Sequence, residues 1–196
     1  MKTVFTYELD GNLYINLTNK CTNACTFCIR NEYDGIGGYD LWLSREPSAE
    51  EIIAEITDLK AYSEFVFCGY GEPTERFDEL KKVAKYIKDQ GGTTRLNTNG
   101  HGNIINKRDI VPEMKDLIDI VSVSLNAGNK AEYDRVSQPS FKGAFEAVKE
   151  FIRECAQTLP KTVATVVAVP GDPLDIDAAR ELAAELGAEF RVRIYE

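Results

Sequence analysis

The sequence predicts an α/β fold: an open, partial (β/α)6 barrel of parallel strands, TIM-like but unclosed, preceded by a short N-terminal strand. Apolar, β-branched runs alternate with amphipathic stretches along the chain, the pattern of a parallel sheet covered by helices. Counted from the run at Leu13, six strands are joined by five well-spaced crossovers. Right-handed crossovers in succession curl a sheet toward a barrel, and six units fall short of the eight that close one. The 196 residues show no linker, repeat or low-complexity segment, so residues 1–196 read as one domain around one core.

Thr3 to Glu8 and Leu13 to Leu17 form a hairpin-like pair with Asp10-Gly11 as its turn. A long polar loop follows and runs to Pro47. Ser48-Ala49-Glu50-Glu51 is a capping box, opening a helix with Ile52, Ile53, Ile56 and Leu59 on one face. Phe65-Val66-Phe67 is a buried strand. Thr74 is expected to cap the next helix, whose stripe is Phe77, Leu80, Ala84 and Ile87, and Gly91-Gly92 stops it. Thr93 to Leu96 is a strand; a helix reaching about Leu117 and a strand from Ile120 to Leu125 follow. A short helical piece precedes a longer helix that aligns Phe141, Phe145, Val148 and Ile152. Cys155 falls on the same stripe and reads as core. Thr162 to Val169 is a strand, Asp175 starts a helix carrying Ile176, Ala179, Leu182 and Leu186, and Gly187 closes it. Phe190 to Tyr195 is the last strand.

Charge narrows the function. The net charge is −9, which disfavours a nucleic-acid partner because phosphate backbones are gripped by basic faces. The densest basic cluster, Lys81, Lys82, Lys85 and Lys88, reads as a solvated helix face. No apolar run is long enough to span a bilayer. Met1-Lys2-Thr3-Val4-Phe5 leads straight into strand pattern rather than a signal peptide, so a cytoplasmic location is expected. Five cysteines, an odd number in such a chain, point to metal or reactive roles before disulfides.

Parallel barrels place their chemistry at the carboxyl ends of the strands. The polar and glycine-rich departures from pattern sit there: the cysteine loop, Gly69-Tyr70-Gly71-Glu72-Pro73-Thr74, Asn97-Thr98-Asn99-Gly100, Ser124-Leu125-Asn126 and Val169-Pro170-Gly171. Cys21, Cys25 and Cys28 put three thiols at C-x3-C-x2-C spacing. Soft thiolates select zinc, copper(I) or iron–sulfur clusters. Structural zinc wants four ligands, and the only histidine, His101, reads as an exposed loop residue. Three thiolates leave one iron of a cubane open, as substrate-activating chemistry requires. A zinc-stabilised binding module is the competing reading.

The C-x3-C-x-aromatic-C segment, with Phe27 as the aromatic, resembles the signature of the radical S-adenosylmethionine (radical SAM) superfamily. Gly71-Glu72-Pro73-Thr74 resembles that family's G-E-P segment, and Asn97-Thr98-Asn99-Gly100 its T-N-G segment. Phe67 to Thr74, Ser124-Leu125-Asn126-Ala127 and Phe190-Arg191-Val192-Arg193 look most like a short group associated with TatD-family nucleases.

The resemblance implies that Cys21, Cys25 and Cys28 hold a [4Fe-4S] cluster. S-adenosylmethionine would bind its open iron and be cleaved reductively to methionine and a 5′-deoxyadenosyl radical that takes hydrogen from a substrate. It further implies that Gly71, Glu72 and Pro73 hold the methionyl ammonium. Asn97, Ser124 and Asn126 would bond ribose or carboxylate, and Phe27 would lie beside the adenine. A reductant such as flavodoxin or ferredoxin would supply the electron. The substrate is an unidentified small molecule, or a partner protein if the chain is an activase.

Other positions carry weaker signals. On the last strand Phe190, Val192 and Ile194 alternate with Arg191, Arg193 and Tyr195, making Arg193 and Tyr195 candidates for substrate contacts or for edge solvation. Cys68 reads first as a small buried hydrophobe and second as a redox or hydrogen-donor residue. Tyr33, Tyr39 and Trp42, among Gly35, Gly37 and Gly38, suggest a mobile lid or a docking surface for an electron donor.

Overall fold

The computed structural model describes residues 4–31 and 35–195. One sheet of seven strands runs in the order β1-β2-β3-β4-β5-β6-β7. The strands are β1 (Thr6–Leu9), β2 (Asn12–Ile15), β3 (Phe65–Phe67), β4 (Thr94–Thr98), β5 (Ile120–Ser124), β6 (Lys161–Ala168) and β7 (Glu189–Ile194). Only β1 is antiparallel to its neighbour; β2 through β7 pair in parallel. This is the expected six-unit open barrel behind one short strand. Asp10 and Gly11 join β1 to β2 with φ of 51° and 75°, the two positive values that a tight hairpin of right-handed twist demands.

The helices are α1 (Ala49–Glu55), α2 (Phe77–Asp89), α3 (Gly102–Asn106), α4 (Val111–Met114), α5 (Lys130–Ser137), α6 (Ala144–Thr158) and α7 (Ile176–Glu185). Ser48 caps α1 in a full capping box with Glu51, and Asp175 caps α7, both as the sequence predicts. Thr74 does not cap α2. Glu72 caps a 3-10 turn over Pro73–Arg76, and α2 begins only at Phe77. The helix expected to reach Leu117 is instead the short pair α3 and α4, because Lys107 takes a left-handed φ of 54° and ends α3. Phe141 packs against the core from the loop before α6. The lysines of α2 sit against Asp78, Glu113, Glu79, Asp89 and Asp119, so no free basic face forms.

Register sorts the strand side chains into two faces. Ile15, Phe67, Leu96, Val121, Val123 and Ala164 face the helices and join the main core with Phe77, Leu80, Val83 and Ile87 of α2 and Phe145, Val148, Phe151, Ile152 and Cys155 of α6. Their sequence neighbours turn to the other face. There Asn97 pairs with Ser122 and Ser124 with Thr165, so polar side chains gather on the lumen face toward the carboxyl ends of β4 to β6. A second, smaller cluster of Tyr7, Leu41 and Tyr70, with Tyr14 and Tyr39 against it, packs beside β1 and β2. No helix among the described residues is long and apolar enough to cross a membrane.

Leu80 is wholly buried and Ile194 is 77% exposed. Leu80→Ala is expected to remove about 2–5 kcal/mol of stability and Ile194→Ala less than about 0.5 kcal/mol. Urea unfolding of both variants measures this; equal losses would contradict the placement of the core.

Candidate active site at the mouth of the barrel

The cysteine loop leaves β2 and is pinned from a distant part of the chain. Ala24 N–H donates to the Ser137 and Gln138 carbonyls and Thr26 N–H to the Val136 carbonyl, while Ser140 N–H donates to Thr22 O. The end of α5 thus shapes the thiol loop. Arg30 ties it on the other side, its guanidinium donating to the carbonyls of Asn19, Asn23 and Tyr70.

Cys21, Cys25 and Cys28 are each partly exposed. Burial pushes the Cys21 thiol up, with Glu72 adding to the rise. Cys25 is pushed up to about 12, first by desolvation and then by Cys21 and Cys28, with Arg30 opposing. Thiolates so placed would repel one another, with the guanidinium groups of Arg30 and Arg193 opposing. Positively charged iron relieves that repulsion, so the donor set suits a metal–sulfur group that accepts three soft ligands. Among the described residues, no group of three or more His, Cys, Asp or Glu side chains is gathered as a single-ion site.

The Gly69–Thr74 loop closes against this one. Gly71 lies so near the cysteine loop that a Cβ there would stand 2.3 Å from Thr18 O and 2.6 Å from Lys20 O; only glycine fits. Glu72 N–H donates to Lys20 O at 2.7 Å. Its side chain is 2% exposed. Oε1 accepts from Thr74 N and from the hydroxyls of Thr74 and Thr98, and Oε2 accepts from Asn99 N at 2.6 Å. Burial still drives the Glu72 carboxyl above its ordinary value against these donors. Expected as a ligand for an ammonium, Glu72 has both oxygens engaged by the chain itself. Pro73 is buried beside it.

Asn97 and Ser124 end β4 and β5 on the lumen side. The Asn97 Oδ1 is buried without a partner, and so is Oδ1 of Asn126. Asn126 holds a positive φ of 63°, with its Nδ2 on Ser137 Oγ at 3.0 Å and its N–H on Thr165 O at 3.0 Å. Unpaired buried acceptors are rare in folded chains and call for an explanation; Asn23 of the thiol loop leaves a further one in addition to these two. Phe27 is half-buried within the thiol loop.

Cys68 follows β3 and turns to the lumen rather than into the helix-facing core, since Phe67 before it belongs to that core. Desolvation raises its thiol, and Asn97 and Arg193 oppose that rise. Tyr195 sits at the end of β7, its N–H donating to Ala168 O at 3.1 Å. Tyr33 lies outside the described residues. Tyr39 stands 6.0 Å from the Tyr7 ring, and Trp42, 39% exposed, meets Tyr70 edge-on at 5.0 Å. Asn16 Nδ2 donates to Leu41 O and Asn19 brackets Leu43 from both sides.

His101 overturns the expectation of an exposed loop histidine. It is wholly buried, with Nδ1 2.8 Å from Thr22 Oγ1 and Nε2 2.9 Å from the Tyr133 hydroxyl. Asn99 continues the chain: its Nδ2 donates to Thr22 Oγ1 at 2.9 Å and reaches Cys21 Sγ at 3.7 Å, while its Oδ1 accepts from His101 N. Neither residue had been singled out for a role. Asn99 lies inside the quoted T-N-G-like segment, where Asn97 was preferred. For His101 no local signal exists, since its partners are 32 and 79 residues away in sequence.

The chain is thus an open parallel barrel with a three-thiol loop and unpartnered buried acceptors at the carboxyl ends of its strands. The family model of the Radical SAM superfamily matches residues 15–183, and the chain belongs to that superfamily. The uncharacterized protein MJ0804 of Methanocaldococcus jannaschii is 26% identical over 174 residues, covering 86% of this chain and 52% of that protein. The probable dual-specificity RNA methyltransferase RlmN of Staphylococcus saprophyticus is 25% identical over 191 residues, covering 90% and 50%. The chain therefore spans about half the length of these relatives. Among solved structures, TYW1 with a lysine-pyruvate adduct superposes with a TM-score of 0.69 at 16% identity, over 95% of this chain and 65% of that one. SuiB of Streptococcus suis bound to S-adenosylmethionine gives 0.66 at 13%, over 95% and 41%. These likenesses carry the fold, a partial barrel.

Burial lowers the His101 pKa from 6.5 to about 4. The unfolded chain then binds the proton that the folded chain refuses, so stability falls as pH drops from about 6.5 toward 4. His101 is expected to account for about 2 kcal/mol of lost stability between neutral pH and about pH 5. His101→Phe removes that part of the dependence while costing about 1–3 kcal/mol at neutral pH, because two hydroxyls lose a partner. Urea titrations of the cluster-free protein at both pH values test this; an unchanged pH dependence in the variant would contradict it.

Proposed function

We propose that this chain is a radical SAM enzyme, its cluster held by Cys21, Cys25 and Cys28. The observation that carries the reading is the loop of three free, partly exposed thiols at the same strand ends as two unpartnered buried acceptors, Asn97 Oδ1 and Asn126 Oδ1. When bound, a [4Fe-4S] cluster supplies the electron that splits S-adenosylmethionine into methionine and a 5′-deoxyadenosyl radical, which then takes hydrogen from a substrate.

The chain's own residues position and enclose. Asn97 and Asn126 accept hydrogen bonds from ribose hydroxyls or the methionyl ammonium, and Ser124, half-exposed on the same face, offers a hydroxyl beside them. Phe27 covers the adenine. Gly71, Glu72 and Pro73 hold the loop that faces the methionyl end; Glu72 acts through the shape it imposes, because its carboxylate is bonded to β4 and its flanks. The electron comes from a small carrier protein of the flavodoxin or ferredoxin type. Within the superfamily, the Phe67–Thr74 and Ser124–Ala127 segments support placement beside the TatD-associated group.

The test is anaerobic reconstitution with iron and sulfide, then addition of S-adenosylmethionine and dithionite. We expect 5′-deoxyadenosine to form and to disappear in Cys25→Ala. Asn126→Ala, which removes an acceptor but no ligand, is expected to weaken S-adenosylmethionine binding about tenfold with iron content unchanged. Bound zinc in place of iron would overturn the reading in favour of a binding module.

A further inference from the structure

The last strand carries two arginines that the site so far does not use. On β7, Phe190 packs against the main core, and Arg180 of α7 lies 4.8 Å over its ring. Alternation therefore turns Arg191 and Arg193 to the lumen side, where they pair in register with Thr165 and Val167 of β6, and Thr165 in turn with Ser124 of β5. Both arginines remain open to solvent through the mouth. Arg193 nevertheless lies deep enough for desolvation to lower its basicity, and it feels Cys68 and Cys25 across the lumen.

Their lack of counter-charge sets them apart. Every other arginine among the described residues is held by a carboxylate or, for Arg30, by backbone carbonyls. Among the described residues Arg191 and Arg193 have neither, in a chain whose net charge is −9. Two like charges at neighbouring positions of one face repel each other, and an anion joining both relieves that repulsion. The planar guanidinium fork matches carboxylate and phosphate oxygens two at a time.

We propose that Arg191 and Arg193 form the substrate-recognition site of this barrel and take a carboxylate or phosphate group of a small molecule. The inference rests on the radical-enzyme reading above and adds the substrate class. A small molecule is favoured over nucleic acid because the pair faces the lumen and the remaining surface is acidic. An anion anchored on β7 lies across the lumen from the thiol loop, so the rest of the substrate extends toward the place where the radical forms.

Phenylglyoxal labelling of the reconstituted wild-type protein, mapped by peptide mass spectrometry, tests this without a variant that fails to fold. Millimolar succinate, inorganic phosphate, neutral succinamide and a short single-stranded RNA are compared, each with S-adenosylmethionine present, against S-adenosylmethionine alone and against no addition. We expect one of the two anions to slow labelling of Arg193 about tenfold at saturation, and to leave Arg180 on the outer face unchanged. Succinate or phosphate as the protector identifies which anion the site takes. No protection by either, or equal protection by succinamide, overturns the proposal. So does protection by S-adenosylmethionine alone, which assigns the arginines to the cofactor, or protection only by a short single-stranded RNA. Deoxyadenosine yield in the same preparation reports on the enzyme reading separately.

Discussion

A buried carboxylate holds the ends of three strands together. Glu72 bonds through its backbone to the loop after β2, and through its side chain to its own loop after β3 and to the end of β4. Burying a carboxylate is costly, and here four charge-assisted or potentially charge-assisted hydrogen bonds offset the cost. The approach works only because Gly71 carries no side chain: any Cβ would collide with two carbonyls of the thiol loop. The separation of the first two loops at the mouth is therefore set by backbone contact, which has little freedom to relax.

From Glu72 a line of polar groups continues under the thiol loop. Asn99 takes its N–H to Glu72 and its side chain to Thr22 and Cys21, and Thr22 meets His101, which meets Tyr133 of α5. Held neutral by burial, His101 bridges two hydroxyls without adding charge beside the sulfurs. The same α5 end bonds the backbone of the thiol loop. The loop is thus braced on one side by Arg30 and on the other by this buried chain. A site that must place ligands accurately needs supporting contacts of this kind.

Much of this was legible beforehand. The hairpin turn, the capping box at Ser48, the cap at Asp175 and the strand at Phe65 all follow from short-range rules, and the structure keeps them. The three thiols could be read because their spacing is local, and the rule that chemistry gathers at strand ends located the mouth. Most departures share one physical cause, long-range pairing; the helix expected to reach Leu117 is the exception, ended locally by the left-handed Lys107. Thr74 has the composition of a cap, yet a buried glutamate two residues earlier takes that place because β4 supplies its other partners. His101 looks like a loop residue until Tyr133 and Phe141 are folded over it. Tyr39 and Trp42, among glycines, find ring partners in Tyr7 and Tyr70 that the local sequence does not show. The alternation on β7 was visible, whereas which set faced the lumen depended on α7 covering Phe190.

The central claim is that three cysteines hold a cluster whose fourth iron is open to S-adenosylmethionine at this mouth. Isotope-edited magnetic resonance of the reduced, reconstituted protein tests it most directly, using S-adenosylmethionine labelled at its amino nitrogen and carboxylate oxygen. Hyperfine coupling of both labels to the cluster is the expected result. A cluster spectrum unchanged by labelled or unlabelled S-adenosylmethionine would contradict it.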